Sequence, residues 1–105
     1  MKLYIAILDE FPDYMVPTLV GHAVLGYHLI FADYPEWKQY ITESFKKVTV
    51  RVNQKQFDKI AMLDKTYLFH ENNTLGGKKS CAVTLVNDDV PNVLKYATLW
   101  KPKFE

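Results

Sequence analysis

The stretch VPTLVGHAVLGYHLIFADYPEW, residues 16–37, is an almost wholly apolar run that carries Gly21 and Gly26 around a single histidine, His22. Pro17 suits the first turn of a helix, where its missing N–H leaves no hydrogen bond unmade. The run that follows is apolar on nearly every side, as in helices that pack against a sheet. The stretch therefore predicts a long helix that covers a β-sheet.

Strand-forming runs lie on both sides of this helix. KLYIAIL, residues 2–8, has the length and composition of a buried strand, and KKVTVRV, residues 46–52, alternates apolar with polar side chains. TYLFH at 66–70 and CAVTLV at 81–86 are also predicted to be strands. Because helices separate the early strands, we expect a partly parallel sheet of about four strands in a two-layer or three-layer α/β domain.

Three further helices complete the prediction. PEWKQYITES, residues 35–44, begins with proline and predicts a short helix. Asn53 can cap a helix over QKQFDKIAML, residues 54–63. DDVPNVLKYATLW, residues 88–100, predicts a last helix, and ENNTLGGKKS, residues 71–80, predicts a loop.

Composition narrows the class of protein. With 105 residues and 49% hydrophobic side chains, the chain has the size of one domain. A net charge of +1 excludes binding to nucleic acid through bulk charge, so any basic site must be local. The single cysteine, Cys81, cannot form an internal disulfide, and His22 and His28 lie on different sides of a helix. We therefore predict no metal site and no cofactor.

A membrane location is not expected. The long apolar run is interrupted by His22, His28 and Asp33, and the N-terminal apolar run lacks a cleavage signal. The composition favours a soluble, cytoplasmic protein.

The most polar part of the chain predicts an anion site. Backbone amides of Gly76 and Gly77, with the ammonium groups of Lys78 and Lys79 beside them and Asn72 in the same loop, could hold a phosphate. The spacing of the glycines differs from that of a P-loop, and a strand rather than a helix follows. The alternative is a solvated hairpin without a ligand.

Two groups of residues are candidates for catalysis. Glu71 follows His70, and both side-chain types can move protons near neutral pH, although neighbours on a strand point to opposite faces. Cys81 could be a nucleophile if a positive field, with Lys79 as its source, lowered the thiol pKa. The alternative for Cys81 is a small core residue.

Aromatic side chains are numerous, and core packing explains most of them. Tyr14, at the start of the long helix, and Trp37 are the two predicted to lie at the surface and to stack on bases. Trp37 and Trp100 could instead form the surface of a homodimer or of another protein complex.

Six fragments, taken in order, resemble the type-2 peptidyl-tRNA hydrolases, especially the short divergent relatives found in bacteriophages. They are KLYIAILDEF, VGHAVLG, PEWKQYI, KKVTVRV, FHENNT and CAVTLV, and the likeness covers nearly the whole chain. The resemblance implies a mixed four-stranded sheet with helices on both faces. It also implies that Gly21 and Ala23 let the first helix pack tightly on the sheet, while His22 is a hydrogen-bonded positioning residue that lines the site.

The resemblance further implies an activity. Members of this family hydrolyse the ester that joins a peptide or blocked amino acid to the 3′ end of tRNA. Their site includes a lysine early in the first helix, a glutamine before the Gly-His-Ala motif, an aspartate after the third strand and a threonine that opens the fourth. At these positions this sequence has Met15, Leu19, Glu71 and Cys81.

Three functions follow from these residues. The first is hydrolysis of peptidyl- or N-blocked aminoacyl-tRNA at a divergent site with Glu71, His22 and Cys81 as catalytic candidates. The second is a catalytically inactive phage-type relative that binds tRNA, another RNA or a small nucleotide in the host cytoplasm, to counter a host defence. The third is a protein-interaction module.

Overall fold

The computed structural model describes residues 1–71, 78–87 and 89–101, with the backbone alone at 70, 71, 78 and 79. The strands are β1 (Lys2–Leu8), β2 (Lys47–Val52), β3 (Thr66–Glu71), β4 (Lys78–Val86) and β5 (Thr98–Leu99). The helices are α1 (Val16–Phe31), α2 (Pro35–Gln39), α3 (Gln54–Ala61) and α4 (Asn92–Lys95). A 3₁₀ turn (Asp13–Met15) leads into α1, and a π-helical turn (Tyr40–Ser44) continues α2.

The strands form one mixed sheet in the order β3-β4-β1-β2-β5. β1 and β2 are parallel, and the other three pairs are antiparallel. In the centre of the sheet, Ile5 on β1 lies opposite Thr49 on one side and Val83 on the other. The predicted α/β class and the partly parallel sheet are confirmed.

The sheet has five strands rather than the predicted four. Val50 and Arg51 on β2 pair with Leu99 and Thr98 of β5, and the Trp100 N–H donates to the Thr49 carbonyl at 2.9 Å. The helix predicted for 88–100 is therefore wrong over its last part, because α4 ends at Lys95. The predicted loop is also shorter, since β4 begins at Lys78 rather than at Cys81.

Helices pack on both faces of the sheet. α1 covers β3 and β4, with His22 against Phe69 and Gly26 against Tyr67. α3 lies on the other face, where the Thr66 hydroxyl donates to the Ile60 carbonyl at 3.4 Å. Because Thr66 and Tyr67 are neighbours on a strand, their side chains point to opposite faces. The core therefore has two apolar layers with the sheet between them.

The short helix α3 begins where the sequence predicts. The Asn53 Oδ1 atom accepts from the Gln56 N–H, and the Gln56 Oε1 atom accepts from the Asn53 N–H, both at 2.9 Å. This reciprocal capping box satisfies two amide groups that a helix start otherwise leaves without partners. Phe57 and Ile60 bury the inner face of the helix.

α1 packs on the sheet as predicted, and it is buried on one side although its sequence is apolar on nearly every side. Leu19, Ala23 and Tyr27 are buried against the sheet, whereas Leu29 is 74% exposed. The segment Asp13–Phe31 is also long and apolar enough to cross a membrane by length and composition, contrary to the prediction that no segment is. The core helix of a soluble protein meets the same criteria.

The two glycines of α1 lie in different surroundings. A Cβ atom on Gly26 would lie 2.7 Å from the Tyr67 ring, whereas a Cβ atom on Gly21 would have no neighbour within 4 Å. Close packing on the sheet therefore accounts for Gly26. The same expectation for Gly21 is wrong, because this residue lies on the exposed side of the helix.

The different surroundings of the glycines predict opposite effects of the same substitution. Gly21→Ala is expected to raise the free energy of unfolding by up to about 1 kcal/mol, because alanine favours a helix. Gly26→Ala is expected to lower it by about 1 kcal/mol, because displacement of the Tyr67 ring outweighs the helix preference. Urea denaturation of both variants measures this, and equal gains in stability would contradict the close contact.

Candidate functional site

One end of the sheet collects most of the predicted site residues. β1, β2 and β3 run in the same direction, so their carboxyl ends lie together with the amino end of β4. We call this region, with the turn over residues 9–15, the carboxyl end of the sheet. Ligands of open α/β sheets commonly bind where parallel strands end.

His22 lies on the exposed side of α1 and packs on β3. Its ring is stacked on the Phe69 ring, with centroids 5.6 Å apart and planes 11° from parallel. Among the side chains that the structure describes, none forms a hydrogen bond with His22. The role of a hydrogen-bonded positioning residue therefore stays a prediction, and His22 and Phe69 together provide a flat ring surface.

The predicted acid and cations lie on the adjoining strands β3 and β4. Glu71 pairs with Lys78 and His70 pairs with Lys79, after a bulge between Phe69 and His70. The register thus places Glu71 directly opposite one of the two predicted cations. Asn72, Gly76 and Gly77 lie outside the described residues, so the anion-binding loop stays a prediction.

Cys81 is in the core, which argues against the predicted nucleophile. The side chain is 0% exposed, and burial raises the pKa of the thiol to about 12, although Ser80 acts in the opposite direction. A thiolate is the reactive form, and this environment disfavours it. Ser80 is also buried, and its hydroxyl donates to the Phe69 carbonyl at 3.2 Å.

Two more positions that the family resemblance marks as catalytic are apolar and buried. Met15 precedes α1 and Leu19 lies in its first turns, and both belong to the hydrophobic core. Neither thioether nor isobutyl groups can supply a positive charge or a hydrogen bond to an oxyanion. These positions therefore contribute packing to the carboxyl end of the sheet and no proton chemistry.

An ion pair between Arg51 and Asp13 lies at the carboxyl end of the sheet, and the sequence analysis did not predict it. The Arg51 guanidinium donates to the Phe11 carbonyl at 2.8 Å, to the Asp9 carbonyl at 3.3 Å and to the Asp13 carboxylate. The Trp100 indole N–H donates to the same carboxylate oxygen at 3.1 Å. The alternating sequence of β2 predicts that Arg51 lies on the face of the strand away from the buried valines. No local pattern indicates that its partners are 38 or more residues away in the sequence.

The predicted surface aromatics separate into two cases. Tyr14 is 79% exposed, in agreement with the prediction that it lies at the surface. Trp37 is only 2% exposed, so its predicted roles in base stacking and in a dimer surface are wrong. Its indole N–H donates to His28 Nδ1 at 2.9 Å, and its ring packs between Tyr27 and Tyr40.

The opposite end of the sheet holds a cavity of about 200 Å³, partly lined by Trp37 and Tyr34. At its mouth, Lys65 Nζ lies 3.3 Å from Glu36 Oε1 and 5.1 Å from the centre of the Tyr34 ring. The backbone N–H of Glu36 and the Lys65 ammonium lower the pKa of the Glu36 carboxyl. Of the described residues that the sequence predicts for ligand binding, Trp37 alone lines this cavity, and its side chain is buried.

Comparison with known proteins does not assign this protein to a family. No protein-family model matches the sequence, and no curated protein matches it. The resemblance to type-2 peptidyl-tRNA hydrolases therefore depends on the six fragments themselves. Among the described residues, no group of three or more histidine, cysteine, aspartate or glutamate side chains is placed to hold a metal ion.

The burial of Cys81 predicts a silent thiol. In the native protein at about pH 8.5, near the ordinary thiol pKa, iodoacetamide is expected to leave Cys81 unmodified. The same reagent should modify it fully in guanidinium chloride, because unfolding exposes the side chain. Mass spectrometry of the two samples measures this, and rapid modification of the native protein would restore Cys81 as a candidate nucleophile.

The Asp13 carboxylate is expected to stabilise the carboxyl end of the sheet. Asp13→Ala removes the shared acceptor of Arg51 and Trp100, with an expected loss of about 1–3 kcal/mol in the free energy of unfolding. Asp33→Ala, at an exposed position, is the control and should change stability by less than about 0.5 kcal/mol. Urea denaturation followed by tryptophan emission measures both, and equal effects would contradict a stabilising network.

Proposed function

We propose that this protein is an RNA-binding relative of the type-2 peptidyl-tRNA hydrolases that binds tRNA, or a nucleotide of similar chemistry, without hydrolysing the ester. One observation carries the proposal. Met15, Leu19 and Cys81, three of the four positions where the resemblance implies polar catalytic groups, are buried core residues. A site with this lining can retain a ligand surface while lacking the groups for hydrolysis.

The ligand surface lies at the carboxyl end of the sheet. His22 and Phe69 provide stacked rings on which a base can pack, and base–aromatic stacking contributes about 1–3 kcal/mol per base. β4 begins with Lys78 and Lys79 at the same end, where ammonium groups favour phosphates. Tyr14 adds an exposed ring on the turn before α1. Stacking and local positive charge together suit an RNA ligand in a protein of net charge +1.

Ester hydrolysis is the second candidate, and the placement of Glu71 favours it. Glu71 is two residues along β3 from Phe69, the ring on which His22 stacks, and it pairs with Lys78. A carboxylate in this position could activate a water molecule, and a cation opposite it could stabilise the developing oxyanion. In this candidate function, Glu71 on β3 and Lys78 on β4 take the catalytic roles that the family resemblance implies for other positions.

A binding protein of this kind would act by sequestration. Covering the 3′ end of tRNA, or removing a signalling nucleotide, would suit a phage-encoded protein that counters a host defence in the host cytoplasm. A homodimer or another protein partner is compatible with the same proposal.

The decisive experiment measures binding and turnover on the same RNA. Fluorescence anisotropy with deacylated tRNA is expected to show binding that Lys78→Ala/Lys79→Ala weakens several-fold. Neighbours on a strand point to opposite faces, so the double variant removes the phosphate contact whichever of the two lysines makes it. Lys38→Ala/Lys47→Ala, with the same charge change at exposed positions in α2 and β2, is the matched control. Release of N-blocked amino acid from aminoacyl-tRNA should stay at the uncatalysed rate.

The other outcomes select a different function. Turnover that disappears in Glu71→Gln would replace the binding proposal with the hydrolase. If the protein shows no binding and no turnover, both functions are rejected, and the protein-interaction module is the function that remains.

A further inference from the structure

A second surface on the opposite face of the sheet has the properties of an anion site. An open groove of about 530 Å³ lies between α3 and α4. We call it the α3–α4 groove, and its polar lining residues are Asn53, Lys55, Gln56, Lys59, Asn92 and Tyr96. None of these side chains is acidic. Asn53 directly follows the carboxyl end of β2, and the groove extends from there along α3 on the face of the sheet that α1 does not cover.

The capping box of α3 leaves hydrogen-bond donors on this surface. The Asn53 Oδ1 and Gln56 Oε1 atoms both accept from backbone N–H groups of the cap. Each side-chain amide therefore keeps its NH₂ group to donate, while its oxygen is already engaged. Because Asn53 is also the N-cap of an eight-residue helix, the partial positive charge of the helix start adds to these donors.

Lysine side chains add full charges along the groove. Lys55 and Lys59 are one helical turn apart on α3 and exposed, and Lys95 Nζ lies 5.6 Å from the centre of the Tyr96 ring. No carboxylate of the described residues forms an ion pair with any of the three. Asp58, the one acid of α3, accepts from the Gln54 amide. The positive charge of this surface is thus not neutralised within the described chain.

The shape of the surface favours a strand of phosphates over a single anion. The two α3 lysines are separated by about 6 Å along the helix axis, which is close to the separation of adjacent phosphates on one strand. The groove is open rather than enclosed, so a chain can pass through it. Tyr96 is 74% exposed at its side, and a ring so placed can stack on an unpaired base.

We propose that the α3–α4 groove binds the phosphodiester backbone of a single-stranded RNA segment, with Lys55 and Lys59 on phosphates and Tyr96 on a base. The inference rests on the proposed function for the identity of the ligand as RNA. It adds a contact surface on the face that α1 does not cover. An RNA bound at both surfaces would pass around the outside of the domain.

The test measures the affinity of a fluorescent oligo-uridine and of tRNA over a range of salt concentrations. Lys55→Ala/Lys59→Ala is expected to weaken binding at least about tenfold and to reduce the slope of log K against log salt by about 1.4, since each single-strand phosphate contact contributes about 0.7. Lys38→Ala/Lys47→Ala carries the same charge change outside the groove and should keep the slope. All four lysines are exposed, and thermal unfolding checks that both variants remain folded at the temperature of the assay. In the control, Lys47→Ala also removes the contact of Lys47 Nζ with the Phe45 ring at 3.5 Å, so a small loss of stability is expected there.

Tyr96 provides a readout that does not depend on charge. Tyr96→Ala should weaken binding to oligo-uridine without changing the salt slope, and Tyr96→Phe should restore it, because the phenyl ring retains the stacking surface. A DNA oligonucleotide of the same length tests whether the groove binds RNA rather than DNA. Groove-dependent binding of the RNA supports the inference, and groove-dependent binding of the DNA alone overturns it.

The remaining outcomes separate this inference from the proposed function. RNA binding that survives unchanged in Lys55→Ala/Lys59→Ala overturns the groove and leaves the proposed function standing. Equal losses in the Lys38→Ala/Lys47→Ala control overturn it as well, because the effect is then one of overall charge. No RNA binding by the parent protein overturns both.

Discussion

The fold depends on one strand that is buried on both faces. Every residue of β1 from Leu3 to Leu8 is buried, with β2 hydrogen-bonded on one side and β4 on the other. A strand in this position exposes no face to water, so a helix layer must cover each side of it. α1 and α3 supply these layers, and burial of each large apolar side chain contributes about 1.5–3 kcal/mol. The two helix layers, and with them the two candidate surfaces, follow from the composition of this single strand.

At the carboxyl end of the sheet, the same requirement for burial divides the predicted site residues into those that pack in the core and those that remain exposed. Met15, Leu19 and Cys81 face the core, where an unpaired charge would be costly, so these positions contribute to stability. Other predicted site residues lie on the outer side of α1 and at the ends of β3 and β4 that meet at the carboxyl end of the sheet. His22 is the clearest example, because it packs on Phe69 while remaining exposed.

Local patterns in the sequence predicted the elements whose causes are local. The apolar run of β1, the alternation of β2 and the cap at Asn53 each depend on neighbouring residues, and the structure confirms them. Features that depend on distant contacts were missed. β5 exists because Trp100 meets β2, and Trp37 is buried because Tyr27 and Tyr40 enclose it. The contacts of the candidate site residues also depend on distant parts of the chain. The sequence therefore indicated His22 as a site residue but did not indicate that it packs on Phe69.

The short strand β5 covers part of the outer side of β2. It occupies the outer side of β2, where Val50 and Arg51 would otherwise present free amide and carbonyl groups to another chain. Sheets with open, apolar border strands tend to recruit further strands and aggregate. Because β5 follows β1 to β4 in the chain, a ribosome would complete those four strands before this cover emerges. A nascent or shortened chain that stops before Thr98 would therefore leave the sheet open to addition of a strand from another molecule.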